Sequence, residues 1–380
     1  VLLAEVIAND AVKQKLVHTV NTNRVYHAQL FLGPEGNGAL PLALAYAQFL
    51  LCENRQPNDS CGECNACRKT SKLLHPDVHF TFPVVTEKGT SRPPLSTDYI
   101  EEFRKIMLGQ RYFGLNEWYE AINAENKQGN ITADECYRIV KQLHLKAYEA
   151  PRKIFIVWMP EYLDKSGNIL LKSLEEPAGD TVFLLVAESE ERILSTIVSR
   201  CQLVNVPRLS EEELGLVLSK QHELEPVEAA KLARFAQGNY VQALRELNDS
   251  TDISEKLLQR WLRASMDNDI QALNLWIEDV CKPGREKQKA FLRYVMDFLH
   301  NCLVGKAMGA DAANVRPEEQ KLVSWGANNL TLEKIEYWYS LLEKAHYRIE
   351  RNANPRLQLL ADSLTLHELL RNNKLILSRA

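Results

Sequence analysis

Apolar positions along this chain follow two different rhythms, and the change from one to the other divides it. In the first half, short continuous apolar runs alternate with helical spacing. The runs Lys153 to Trp158 and Val182 to Ala187 are of the length and character of strands buried on both faces, and Leu30 to Leu32 and Leu203 to Val206 read as further strands. Between them, Val12, Leu16 and Val20 after an Asn9-Asp10 start, Leu42 to Leu51, Ile131 to Tyr148, Asn168 to Glu176 ahead of Pro177, and Ile193 to Val198 carry helical spacing. Strands that alternate with helices predict an α/β layer structure with a parallel sheet. Pro207 ends this rhythm. Ser210-Glu211-Glu212-Glu213 is a capping box that opens an all-helical tract, with helices at roughly 211 to 222, 226 to 236 and 240 to 248. The polar stretch Asn248 to Asp252 reads as a linker, and helical spacing continues to the end of the chain. There Trp261, Leu262, Leu273, Trp276, Phe291, Phe298, Trp325, Tyr337, Trp338 and Leu341 fall at bundle core positions, where aromatic residues pack rather than stack on bases.

Two stretches of the first half are less regular. Pro83 to Pro94, rich in Pro, Thr and Ser, reads as a surface loop. Tyr99 to Asn126 fits helices through Phe103, Ile106, Met107, Trp118 and Tyr119, broken at Gly109 and Gly114, and Lys127 to Asn130 reads as a turn. No internal repeat is evident.

Length and charge narrow the class. A chain of 380 residues with 45% hydrophobic and 25% charged residues is that of a globular protein of two or three domains. The 46 basic against 50 acidic residues give a net charge of -4, so no global basic field supports independent binding to nucleic acid. The longest apolar run is too short to span a bilayer, and a cytoplasmic location is expected.

The stretch Leu30-Phe31-Leu32-Gly33-Pro34-Glu35-Gly36-Asn37-Gly38-Ala39-Leu40 has the outline of a phosphate-binding loop: strand, glycine turn, helix. A working G-x-x-x-x-G-K-[ST] loop needs a Lys that reaches the terminal phosphates and a hydroxyl that holds Mg2+. Gly33 and Gly38 have the right spacing, and Ala39 and Leu40 stand where those two residues belong. Such spacing also occurs in ordinary turns. At the end of the Lys153 to Trp158 strand, where an active ATPase of this type places an acidic pair, the chain reads Trp158-Met159-Pro160, and Glu161 is expected at the surface. His27, just before the first strand, reads as a structural histidine.

Four of the eight cysteines lie close together, as C-x8-C-x2-C-x2-C at Cys52, Cys61, Cys64 and Cys67. Four thiolates fill the tetrahedral coordination of Zn2+, so a structural zinc site is expected there, with no open position for water activation. An alternative use, a zinc ribbon that reads DNA, finds few cations in the flanks Asn54 to Asp59 and Arg68-Lys69.

With these motifs in place, the sequence resembles the clamp-loader branch of the AAA+ ATPases over nearly its whole length. The residues that carry the resemblance are His27-Ala28 before the Gly33 loop, the cysteine cluster after it, Leu170-Leu171-Lys172-Ser173-Leu174-Glu175-Glu176-Pro177, Ser199-Arg200-Cys201, and Asn352-Ala353-Asn354-Pro355-Arg356-Leu357. The resemblance implies a RecA-like AAA+ domain at 1–207 with the cysteine module at 52–67, a three-helix lid at 208–250, and a C-terminal all-α collar at 251–380. It implies partners too: motor subunits of the gamma/tau type and a delta subunit in a five-subunit ring, with the sliding clamp and primed DNA reached through the complex. The family's motors carry an Arg in the lid pattern G-x-x-R-x-A-L, and Gly238 to Leu244 match that pattern with Val241 at the Arg position. Together with Ala39 and Leu40, this departure predicts a subunit that does not turn over ATP. The alternative is an active ATPase with a divergent loop. In this context Ser199-Arg200-Cys201 implies that Arg200 is an arginine finger that reaches into a neighbour's ATP site; the alternative is a structural Arg paired with a carboxylate of its own chain. The segment from about Val84 to Asn126 is longer than the family's usual connection.

Overall fold

The computed structural model describes residues 1–7, 9–86, 92–124, 127, 129–248, 252–282, 284–308, 319–351 and 353–371, without the side chains of residues 248, 252–254 and 286. Parts of several sequence readings lie outside the described residues: 87–91 of the Pro83 loop, 125–126 of the Tyr99 stretch, 128 of the turn after it, 249–251 of the linker, Asn352, and 283, 309–318 and 372–380 of the C-terminal helical tract. The chain divides into two compact units, Val1–Leu247 and Asn248–Ala380.

The first unit is built on a parallel sheet of β1 (Ala28–Leu32), β2 (Val78–Thr81), β3 (Lys153–Trp158), β4 (Thr181–Ala187) and β5 (Gln202–Asn205), in the order β2-β3-β4-β1-β5. Leu30 pairs with Leu185 on one side and Leu203 on the other, and Phe155 lies opposite Phe183. Because successive strand residues face opposite ways, Leu30 enters one core and its neighbour Phe31 the other. The Phe31 side is filled by α1 (Asp10–Asn21) and by α2 (Ala39–Leu51), whose every residue is buried.

Between the strands run α3 (Asn65–Ser71), α4 (Ile100–Gly109), α5 (Leu115–Ala121), α6 (Ala133–Leu143), α7 (Leu171–Glu175) and α8 (Ser195–Val198). The stretch expected as a surface loop is not one at its start: Val84 and Val85, following the buried Phe82, are themselves buried, and Val84 bridges Asn130 in antiparallel fashion. They pack there because Phe82 stacks on Phe103 of α4, with ring centroids 4.2 Å apart, and meets Trp118 of α5 edge-on.

After β5 come α9 (Glu211–His222), α10 (Pro226–Ala236) and α11 (Tyr240–Asn248). The capping box is formed, with Ser210 Oγ accepting from Glu213 N–H and the Glu213 carboxylate accepting from Ser210 N–H. These helices share a core of Leu214, Leu218, Ala233, Val241 and Leu244 that also takes in Ile7 and Tyr112.

The second unit consists of α12 (Asp252–Asp267), α13 (Ile270–Cys281), α14 (Arg285–Met308), α15 (Gln320–Asn329), α16 (Leu332–Glu350) and α17 (Pro355–Arg371). Trp261 stacks on Trp276 at 4.8 Å and meets Trp338 edge-on, and its Nε1 donates to Ser363 Oγ. The aromatic positions are therefore packing, apart from Tyr337, which was expected in the core and faces solvent on α16. None of the described helices is long and apolar enough to cross a membrane.

Candidate functional site

The glycine loop connects β1 to α2, as its sequence requires. Gly36 and Gly38 hold φ of +79° and +86°, the left-handed region that glycine enters without strain. At the N-terminus of a helix following such a loop, backbone N–H groups point outward and attract an anion. Here Asn37 meets one of them from within the chain: its Oδ1 accepts from Ala39 N–H at 3.0 Å while its Nδ2 donates to Val206 O at 2.6 Å. Ala39 and Leu40 are buried in the apolar core, 5% and 6% exposed, and carry no group able to meet phosphate or metal. Above the loop lies a cavity of about 40 Å³, lined by loop residues, Tyr112, Phe113, Trp158, Glu188 and Val241. By volume it holds a few water molecules.

The charged side chains lining this cavity are the carboxylates Glu35 and Glu188, with Glu161 nearby. Glu161, expected at the surface, is buried: Met159 takes a left-handed turn (φ +57°) that brings the chain back beneath the end of β4. There Glu161 Oε1 accepts from the N–H groups of Glu188 and Ser189 at 2.6 and 3.0 Å, tying the end of β3 to the end of β4. Withdrawal from water, and then the nearby carboxylates of Glu35 and Glu161, push Glu188 up to about 8.

Val241, at the position where the resemblance expects an Arg, is buried and lines the cavity. One turn further along α11, on the same helix face, stands a cation that the sequence reading missed. Arg245 donates from Nη1 and Nη2 to Glu35 of the glycine loop at 3.0 and 2.8 Å, and from Nε and Nη2 to Glu117 of α5 at 2.6 and 3.0 Å. Burial works against its charge, but the hydrogen bonds and charges of Glu117 and Glu35 outweigh that and drive the guanidinium pKa further up. An acidic residue inside a glycine loop was the available signal, since Glu35 needs a cation once the loop is covered.

Arg200 lies on the turn between α8 and β5, at the exposed edge of the sheet. Its Nε and Nη2 donate to Glu175 Oε2, both at 3.2 Å, and its Nη1 donates to Thr196 O at 3.0 Å. The pair is at the surface, with the Arg200 side chain 32% and that of Glu175 60% exposed. Glu175 belongs to the L-L-K-S-L-E-E-P stretch, so two motifs separate in sequence meet here. His27 is held by Leu174 O at 2.9 Å, in keeping with a structural role.

The four cysteines come together next to α3, with all sulfurs within 4.8 Å of one another. Tetrahedral Zn–S bonds of about 2.3 Å place sulfurs roughly 3.8 Å apart. Cys61 Sγ lies 3.6 Å from Cys52 Sγ and 3.9 Å from Cys67 Sγ. Backbone N–H groups of Cys64 and Glu63 bring Cys61 down to about 7, toward the thiolate a metal needs. Burial pushes the Cys52 and Cys67 thiols up, and a bound divalent cation is the charge that would reverse this. The donor set therefore fits a metal ion with all four positions filled by protein.

Parallel sheet, glycine loop, three-helix unit and a helical second unit fit a protein of the AAA+ type, and the matching family and relatives put it in the clamp-loader branch. The chain belongs to the family described as DNA polymerase III, delta subunit, whose model matches residues 8–210. It is 32% identical over 180 residues to DNA polymerase III subunit delta' of Pseudomonas aeruginosa, an alignment covering 46% of this chain and 41% of that relative. With the subunit delta' of Escherichia coli it shares 25% over 327 residues, 85% of this chain and 83% of the relative. With DNA polymerase III subunit gamma of Buchnera aphidicola it shares 24% over 254 residues, 64% of this chain and 58% of that one. The match to the Pseudomonas relative thus spans less than half of that protein's length.

Proposed function

We propose that the chain is a delta prime subunit of a clamp loader, non-catalytic itself, acting in DNA replication. On this reading residues 1–207, 208–250 and 251–380 are core, lid and collar. The collar joins it to gamma/tau-type motor subunits and a delta subunit in a five-subunit ring, which places a sliding clamp on primed DNA. Arg200 acts as a finger on a neighbouring ATP site, Zn2+ is structural at Cys52, Cys61, Cys64 and Cys67, and the protein works in the cytoplasm.

One observation carries the reading. The glycine loop has lost its Lys and hydroxyl to Ala39 and Leu40, the first N–H of its helix is taken by Asn37, and its own Glu35 is held by Arg245 of the lid. A loop in that state supports assembly rather than phosphoryl transfer. The zinc-ribbon alternative has little to draw on, since Lys69 beside the cluster is engaged by Glu149 at 2.5 Å.

Reconstitution tests it. The isolated chain should hydrolyse no ATP with Mg2+, and mixing with motor and delta subunits should give a ring with DNA-stimulated ATPase that fails to form without it. Hydrolysis by the purified chain, or full activity in its absence, overturns the proposal.

A further inference from the structure

The long segment between the cysteine module and β3 covers the glycine loop, and what it does there reaches beyond the loss of the phosphate-binding residues. Three parts of the first unit converge around Tyr112, which lines the cavity: the N-terminal stretch at Ile7, the loop, and the lid helix α11. A cleft closed by a lid is ordinarily held shut by a ligand that touches both sides, because those contacts favour the closed state over the open one. Here the connecting contacts come from the segment itself.

Tyr112, in the turn between α4 and α5, is 9% exposed. Its hydroxyl accepts from Ile7 N–H at 2.7 Å, and its ring meets Tyr240 of the lid edge-on, 5.0 Å between centroids. The same ring lies against the loop: a Cβ at Gly38 would sit 3.0 Å from Tyr112 Cε1. One aromatic side chain thus joins N-terminal stretch, loop and lid.

Glu117 supplies the second link. It shares the Arg245 guanidinium with Glu35, so lid, loop and segment meet at one cation through four hydrogen bonds. Burial resists ionisation of Glu117, but the Arg245 hydrogen bonds and charge outweigh it and keep the carboxyl below its usual range. The backbone is fitted to this clasp. At Gly114 any Cβ would stand 1.9 Å from Glu35 Oε1 and 3.0 Å from Arg245 Nη2, so a side chain there would break it. Behind the clasp the segment is anchored, with Trp118 Nε1 donating to Pro83 O at 2.8 Å and Phe113 meeting Trp158 edge-on at 5.2 Å.

We propose that residues 96–121 are the resident ligand of the glycine-loop cleft, with Tyr112 and Glu117 bridging loop and lid so that the lid stays closed without nucleotide. This rests on reading the cleft as a relic nucleotide site. A tethered ligand is present at an effective concentration of millimolar order or above, so free nucleotide competes poorly for the cleft.

Hydrogen exchange by mass spectrometry on the full chain tests the proposal, with Mg2+-ATP as the probe. In the wild type, exchange of residues 211–247 should not change with millimolar Mg2+-ATP. In Arg245→Met and in Glu117→Gln the same amides should exchange at least tenfold faster, while residues 253–371 of the second unit stay as they were. Glu117→Gln leaves Arg245 its bonds to Glu35 and keeps the test valid if Arg245→Met does not fold. Unchanged lid exchange in Glu117→Gln, or slower lid exchange in the wild type on adding Mg2+-ATP, overturns the proposal. Neither result bears on Arg200, and loss of the ring's dependence on this subunit would sink the functional reading without altering lid exchange.

Discussion

Replacing Arg200 by Ala separates what this residue does for its own chain from what it does for a neighbour. Within the chain it makes an ion pair with Glu175, whose side chain is 60% exposed, and a hydrogen bond to Thr196 O. Exposed pairs of this kind contribute roughly 0.2–1 kcal/mol, because water and salt screen both partners. Arg200→Ala should therefore shift the stability of the isolated chain by at most about 1 kcal/mol, read as a urea midpoint followed by circular dichroism. A finger acting across an interface is worth about a thousandfold or more in rate, roughly 4 kcal/mol or more of transition-state stabilisation. The two magnitudes differ enough for one experiment to tell them apart.

The assay is the DNA-stimulated ATPase of the reconstituted ring, with assembly checked by gel filtration. Arg200→Ala is expected to leave the ring intact and to abolish turnover at the site it serves. Arg200→Lys should restore little, since an ammonium keeps the charge without the planar fork. Glu175→Gln leaves the guanidinium in place and should leave most of the turnover. Unchanged ATPase in an intact Arg200→Ala ring refutes the finger, and the pair with Glu175 then accounts for the residue.

Further outcomes follow from the other groups. The purified chain should carry one zinc ion, measured by plasma mass spectrometry, and Cys67→Ser or chelation should lower the unfolding free energy by several kcal/mol, read from the denaturant midpoint; a metal-free chain of undiminished stability rules it out. Glu188, pushed up to about 8 in the folded state, binds a proton that the unfolded chain has released above the ordinary carboxylate range. Its contribution is full below that range and is lost as pH rises through about 8, a slope of roughly 1 kcal/mol per unit. Glu188→Gln should flatten this part of the stability curve, and an unaltered curve contradicts the assignment. Putting Lys at Ala39 and Thr at Leu40 should give no hydrolysis, because Tyr112 and the Glu35–Arg245 pair remain, and should destabilise the chain by roughly 1–3 kcal/mol or more as Leu40 gives up buried apolar surface and an ammonium is forced toward the core at Ala39; Mg2+-dependent ATPase in that variant refutes the reasoning.

How much could be read from the sequence depended on how far apart the interacting residues are. β1, β3 and β4 announce themselves as apolar runs because both of their faces are buried. β2 was missed: it has only four residues, with His79 and Thr81 among them, and its place at the sheet edge needs no continuous apolar pattern. The cysteine cluster is local and its spacing is restrictive, so its assembly was predictable. Glu161 was misplaced since its partners, the N–H groups of Glu188 and Ser189, lie 27 and 28 residues further on. The apolar spacing of α4 and α5 was visible, but their position over the loop was not. Ile7 to Tyr112 spans 105 residues and Glu117 to Arg245 spans 128, distances at which no periodicity gives a hint.

The altered cleft is more than a phosphate site with parts removed, because its charges have exchanged sides. A working loop offers a cation from the loop itself to an anion that comes from outside. Here the loop contributes the anion, Glu35, and the cation comes from the lid as Arg245, with Glu117 of the intervening segment as a second anion. A triphosphate approaching this loop meets Glu35, already paired with Arg245, and no positively charged side chain among the described residues that line the cavity. Removing one member of a buried ion pair typically costs about 3–5 kcal/mol, because the partner is left charged without compensation. Regaining phosphate binding would therefore require changes in loop, segment and lid together, and each taken alone loosens the lid.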